Sequence, residues 1–416
     1  MGMMDAQGPL KGIRVLDLSR ILAGPFCTTM LSDLGAEIIK LESPGNGDET
    51  RTWGPPFKKG ESAYFLGVNH GKKGIVVDLK KSEGLEIARA IAKKVDVVVE
   101  NFRPGVTERL GVGYEALSAL NPRLIYVSVS GFGQTGPYRE RAGFDIVGQA
   151  MSGIMSATGE PDGGPCKAGV PLSDLTAGMW AAYSVSSALF AREKTGRGQY
   201  IDLSLLDSSV SLLTNLSGCY FMDGSMSERW GSAHFQIVPY QALKAKDKEI
   251  IIGVTSDRFW GYFCDIIEAP ELANDPRFVD IPSRAKNRDQ LIPILERYLC
   301  RRNGNEWLRL LEEKGIPCGP VYDVGEALED EQVRHRGMVV ETNHTLLGKV
   351  NTTGVPPKFS EHPGKVQGPA PLHGEHTREI LSCFLGFSGE KIETLLKDEV
   401  VAEPKPRSEV GIPLED

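Results

Sequence analysis

From Gly12 to Ser130 the chain alternates short, nearly unbroken apolar runs with longer stretches whose apolar residues recur at helical spacing. The runs at 13–18, 37–41, 75–79, 95–99 and 124–129 are rich in Val and Ile, and each predicts a strand. Between them, residues 25–34 read as a helix, with Pro25 in its first turn and Gly35 past its end. Residues 83–94 carry a stripe of Leu85, Ala88, Ile91 and Ala92, and 114–120 are also helix-like. Strands without polar alternation, separated by helices, predict a parallel sheet buried on both faces. The fold class that follows is α/β, doubly wound.

Further along, 175–194 predicts the longest helix, stopped at Thr195-Gly196-Arg197-Gly198, and 200–205 a further strand. After a loop-rich passage at 223–238, residues 240–243 and 249–254 predict a hairpin about a tight turn at 245–248. Helical patterns at 257–267, 289–299 and 305–314 complete an α+β unit. From Val339 the chain reads as Pro-rich and extended, closing with helices at 377–384 and 388–397. Residues 405–416 read as frayed. A length of 416 residues suggests about two domains.

With 41% hydrophobic and 25% charged residues, the composition is that of an ordinary soluble globular protein. No run reaches the ~18 apolar residues of a membrane span, and no secretory signal is visible, so a cytoplasmic location is expected, with a mitochondrial or other matrix equally compatible. A net charge of −8 argues against a nucleic-acid partner while leaving room for a small anionic ligand. Seven scattered cysteines without a C-x-x-C predict reduced thiols and no zinc site, and the histidines are as dispersed.

Gly131-Phe132-Gly133-Gln134-Thr135-Gly136 matches G-x-G-x-x-G after a predicted strand, but Pro137 and a charged Tyr138-Arg139-Glu140-Arg141 follow it instead of an apolar helix face. A tight loop lining a crevice is the preferred reading. Asp174 is the best-framed chemical candidate. Ala168-Gly169-Val170-Pro171-Leu172-Ser173 delivers it to the start of the long helix, where it reads first as an N-cap, a role compatible with that of an ionised nucleophile. Asp145, behind Phe144, reads as a surface acid or a second carboxylate. Lys72, Lys73, Arg103, Arg109, Arg139 and Arg141 supply the cations that an anionic ligand would need.

The ordered blocks from Gly12-Ile13-Arg14-Val15-Leu16-Asp17-Leu18, Ala23-Gly24-Pro25 and Leu34-Gly35-Ala36-Glu37 through Val99-Glu100-Asn101-Phe102-Arg103-Pro104-Gly105 to Gly374-Glu375-His376-Thr377 resemble the family III CoA-transferases. The resemblance runs from about Gly8 to Val401. It implies a Rossmann-like large domain built from both chain ends, a smaller α+β middle domain and an interlocked homodimer. The expected domains are 1–220, 221–330 and a returning segment at 331–416.

The resemblance also makes Asp174 the catalytic carboxylate, with Phe144 and Asp145 in support. It makes Arg20, Ile21, Leu22, Ala23, Lys72, Asn101, Phe102 and Arg109 contacts to coenzyme A. Ser43 departs from an arginine found in formyl-CoA transferase-like members. Phe144 stands where related racemases carry a histidine base, which favours transfer over racemisation.

What the resemblance implies is an enzyme moving CoA from a succinyl-CoA-like donor to a carboxylic acid through an aspartyl anhydride and an aspartyl-CoA thioester. No permanently bound cofactor or metal is expected. Residues 229–234 and 237–241 resemble members acting on dicarboxylates, with Arg229 or His234 receiving the distal carboxylate. An α-methylacyl-CoA racemase and a non-catalytic CoA-binding protein are the alternatives.

Overall fold

The apolar runs become strands in the order the sequence predicts. The computed structural model describes residues 8–226 and 228–404, so the end expected to fray lies outside the described residues. The first half alternates β1 (Arg14–Asp17), α1 (Ala23–Asp33), β2 (Glu37–Glu42), β3 (Lys72–Val77), α2 (Ser82–Ala92), β4 (Val97–Glu100) and β5 (Ile125–Ser130). Then come α3 (Asp145–Met151), the long α4 (Leu172–Thr195) and β6 (Tyr200–Ser204). Every residue of β4 and β5 is buried, as strands covered on both faces must be.

A second compact unit takes in Met155–Lys167 and Leu216–Asp330. The expected hairpin is present as β7 (Tyr240–Lys244) and β8 (Glu249–Gly253), joined by β9 (Cys318–Pro320). Three helices, α5 (Asp257–Ile266), α6 (Arg288–Leu299) and α7 (Gly304–Glu313), turn Trp260, Phe263, Leu295 and Trp307 into its core. Segment 155–167, read from sequence as part of the first domain, is bonded into this unit. Gly231 N–H donates to Gly159 O at 2.9 Å and Cys166 N–H to Thr158 O at 3.1 Å.

The chain then returns to the first unit. Residues read as an extended tail form an antiparallel hairpin, β10 (Val339–His344) and β11 (Gly348–Thr353). Helix α8 (Gly389–Lys397) leads into a two-residue strand, β12 (Val401–Ala402). The large sheet has the order β12-β3-β2-β1-β4-β5-β6. All pairings are parallel except that of β12 with β3, so the predicted parallel sheet carries one antiparallel edge.

Strand order reverses between β1 and β4, because the chain builds outward from β1 through β2 and β3 and then restarts on its other side. A crevice beyond the carboxyl ends of strands at such a point is where open α/β sheets bind ligands. The loops that leave β1 and β4 there are the ones containing Arg20 and Asn101. Helix α4 packs on α1 through small residues, and at Gly178 a Cβ would stand 2.8 Å from Ala23 O. Only glycine permits that approach.

Candidate active site

The loop after β1 forms one wall of the crevice. Asn101 grips it from the neighbouring strand, accepting Arg20 N–H through Oδ1 at 2.8 Å and donating Nδ2 to Arg20 O at 2.6 Å. The Arg20 guanidinium lies over the Phe102 ring at 4.8 Å and pairs with Glu49 at 2.6 Å. Glu100, buried at the end of β4, accepts Phe102 N–H at 2.7 Å; burial pushes its carboxyl up to about 7.

The opposite wall comes from the loop after β5. Gly131 and Gly143 meet backbone to backbone, since a Cβ on Gly131 would lie 2.7 Å from the Gly143 Cα. This contact folds the six-residue glycine motif into a tight loop. Its Gly133 N–H donates to Ser130 Oγ at 2.9 Å, and no helix follows it, as the non-nucleotide reading expects. Phe144 then caps α3 and stands exposed on the crevice wall.

Asp174 occupies the third residue of α4, whose N-cap is Pro171; its side chain makes no capping bond. The capping reading of Asp174 is therefore corrected: helix α4 starts earlier than the sequence suggested. The service falls to Asp145, whose Oδ1 accepts Ser173 N–H at 2.8 Å while Oδ2 accepts Gln149 Nε2 at 2.7 Å. Asp174 itself is free of hydrogen bonds and ion pairs among the described residues. Burial, and then the Asp145 carboxylate, push it up to about 7. The sequence reading of a fully ionised carboxylate changes accordingly, for near neutrality the group stands between its two protonation states.

These walls enclose an open cleft with about 790 Å³ of space between protein atoms, its mouth included. Arg20, Ile21, Leu22, Ala23, Asn101, Phe102, Phe144 and Asp174 line it together, and among the described residues Asp174 is its only carboxylate. Arg103, Arg139 and Arg141 join Arg20 on the walls, making this crevice cationic in a chain of net charge −8. Arg141 rests over Tyr138 at 4.5 Å and Phe132 at 5.3 Å, with no carboxylate partner among the described residues. Such a cleft suits a polyanion.

Not every residue singled out in the sequence is on these walls. Lys72 is buried beneath, bonded to Asp17 at 3.1 Å, Asn69 Oδ1 at 2.8 Å and Pro25 O at 2.9 Å. Arg109 lies on the short helix Val106–Leu110, exposed and off the cleft. Lys73 pairs with Glu37 and Glu379 near the surface. Arg229 and His234 belong to the second unit; Arg229 donates to Ser156 O at 3.4 Å, and His234 Nδ1 accepts Gln236 and Ile237 N–H, both at 3.1 Å. Ser43 is exposed, its carbonyl accepting His373 Nε2 at 3.0 Å.

Sequence reasoning missed Ser130, Leu205 and Tyr64. The first two line the cleft, and Tyr64 is pushed up to about 12 by burial and by the nearby Asp174 and Asp145. Position at a strand's carboxyl end could have found Ser130; nothing in the pattern pointed to Tyr64. Among the described residues no group of three His, Cys, Asp or Glu is placed to hold a metal ion, and no helix is long and apolar enough to cross a membrane.

A family model described as CoA-transferase family III matches residues 10–377. The succinyl-CoA:glutarate CoA-transferase of Mus musculus is 42% identical over 399 residues, 96% of this chain and 92% of that protein. The acetyl-CoA:oxalate CoA-transferase of Acetobacter aceti is 44% identical over 342 residues, 82% of this chain and 88% of that one. Among solved structures, a CAIB/BAIF family protein from Brucella suis has a TM-score of 0.83 at 40% identity, covering 91% of this chain and 100% of its own.

Proposed function

Because this chain belongs to CoA-transferase family III, we propose that it moves coenzyme A from succinyl-CoA to a dicarboxylic acid such as glutarate, with Asp174 as the covalent carrier. One observation carries the reading: among the described residues, the only carboxylate lining a cationic crevice at the sheet's switch point is unpartnered and pushed up to about 7.

In the proposed sequence, an Asp174 oxygen attacks the donor's thioester carbonyl, the C–S bond breaks, and CoA leaves as thiolate. The thiolate attacks the aspartyl carbonyl of the mixed anhydride, releasing the donor acid and leaving an aspartyl-CoA thioester. The acceptor carboxylate then expels the thiolate to give a second anhydride. Attack of the thiolate on the acceptor's acyl carbon forms the new acyl-CoA and frees Asp174. Covalent catalysis of this kind retains the thioester's energy. Asp145 fixes the helical turn that carries the nucleophile, and the wall arginines meet the phosphates of CoA.

The choice of acid rests on the relatives' names: glutarate with succinyl-CoA for one, oxalate with acetyl-CoA for the other. Arg229 and His234 remain the proposed ligands of the distal carboxylate, carried over from the resemblance. A homodimer is proposed with them, supported by the exposed Met179, Trp180, Tyr183 and Phe190 on α4, an apolar band that a second copy would cover. Racemisation is disfavoured because Phe144 cannot exchange a proton and no histidine among the described residues lines the cleft.

The test is exchange of label between free glutarate and glutaryl-CoA. Hydroxylamine should trap an acyl group on the wild type and none on Asp174→Ala, whose exchange should vanish. Undiminished exchange in that variant would sink the assignment.

A further inference from the structure

The loop after β1 holds a conformation its own residues disfavour. Ile21 has φ +68°, a left-handed setting that a β-branched side chain resists. Beneath it lies an ion pair with no exposed side-chain surface, Lys40 Nζ to Asp48 Oδ2 at 2.9 Å. Each partner uses a remaining bonding position on the loop. Lys40 Nζ donates to Ser19 O at 2.9 Å, and Asp48 Oδ1 accepts Ile21 N–H at 3.1 Å. Asp48 is itself fixed, its Oδ1 accepting Thr50 N–H at 3.0 Å and Thr50 Oγ1 at 2.8 Å, its own N–H donating to Glu42 Oε2 at 3.0 Å. Glu42 is clamped by Arg51 through two bonds of 2.7 Å.

Neither Lys40 nor Asp48 touches the cleft. An ion pair so placed adds little to stability, because removing both charges from water offsets their attraction. Its geometry is better matched to holding one backbone shape, for it bonds the loop at Ser19 O and at the N–H of the strained residue itself, while Leu22 O on the other side is held by Phe26 N–H in the first turn of α1. Asn101 adds the third fixed point at Arg20.

Resting on the reading of this cleft as the coenzyme A site, we infer that the buried Lys40–Asp48 pair is a positioning device. It keeps Ile21 left-handed, so that residues 20–23 present a preformed wall to the CoA moiety. Preorganisation of this kind appears in affinity for the CoA portion and not in chemistry at the acyl carbon.

The experiment measures coenzyme A affinity by calorimetry, and KM and kcat by transferase assay, on the full chain as wild type, Asp48→Asn, Ile21→Gly and the double variant. Asp48→Asn should weaken CoA binding and raise the acyl-CoA KM about tenfold, with kcat and the acid's KM within about twofold. Ile21→Gly should suppress that loss, because glycine takes φ +68° without the support of the ion pair. Should Asp48→Asn not accumulate folded, Lys40→Arg, which keeps the charge but moves the donor away from Ser19 O, replaces it in the same cycle. An equal loss in both backgrounds, or no loss of CoA affinity, overturns the inference. CoA binding with the expected coupling but no transfer to any acid leaves it standing and sinks the proposed function instead.

Discussion

Asp145 Oδ1 accepts the backbone N–H of Ser173 at 2.8 Å, so a residue from one helix satisfies a free donor at the start of another, one position before Asp174. The same carboxylate raises its neighbour's proton affinity through like-charge repulsion. Replacing Asp145 by Asn keeps an acceptor for Ser173 and removes the charge. With an ionised nucleophile required, wild-type kcat/KM should fall below about pH 7 and level off above it. In Asp145→Asn the limb should move to lower pH by ~0.5–1 unit. Burial pushes Glu100 up to about 7 as well, with Glu108 and Asp202 as its charged neighbours, so an unmoved limb would assign the titration to Glu100.

Asp174 also leaves a mark on stability. Its folded pKa lies above the unfolded value, so between about pH 4 and 7 the folded state holds the extra proton and stability declines as pH rises. Asp174→Asn has no such titration. Discounted for partial exposure, the variant should be more stable than wild type by ~1–3 kcal/mol at pH 8 and equal to it at pH 4. Melting curves at the two pH values check this; a gap independent of pH would refute it.

Lys72 tests the difference between lining and supporting a site. Its ammonium is enclosed with Asp17, and burial lowers it to about 8 against the pull of that carboxylate. Lys72→Met strands a buried charge and should cost about 3–5 kcal/mol, partly recovered by adding Asp17→Asn. Denaturant unfolding of the wild type and both variants measures it. A Lys72→Met protein of native stability but weakened CoA binding would restore Lys72 to the ligand's own contacts.

Arg141 stands on its aromatic shelf with no carboxylate partner among the described residues. Arg141→Met should raise the acyl-CoA KM about tenfold, the loss of one charge-assisted bond, and flatten the dependence of that KM on salt. A KM that rises for the acid alone would place this cation at the acyl end.

Gly178 sets the spacing between α1 and α4, hence between Ala23 and the helix bearing Asp174. A methyl group there meets backbone at 2.8 Å, and Gly178→Ala should destabilise by ~1–3 kcal/mol while lowering kcat. Unchanged unfolding curves would mean that the helices separate freely.

Much of this arrangement is legible in the sequence, where the signal is periodic. The Val-rich runs locate the sheet, and the hairpin 240–253 follows from its turn residues. What stayed hidden depends on contacts distant in the chain. Residues 339–353 read as a tail because the prolines that follow, from Pro356 to Pro371, give the whole segment an extended character, and β12 is too short to show alternation. The resemblance implies Lys72 as a ligand contact, and a lysine after a glycine carries no sign of the Asp17 that the structure places beside it. Asp174 and Asp145 are both singled out in the sequence, yet the bond from Ser173 to Asp145 is not, since a helix donor capped by a distant residue has no local spacing.

The pairing of Val401 with Val77 ties the last described strand to one near the beginning. During synthesis, the sheet therefore waits with an open edge until the ribosome has delivered nearly the whole chain, while the intervening unit is free to fold first. A stop codon before Val400 would make that wait permanent, leaving β3 as an uncovered template for aggregation.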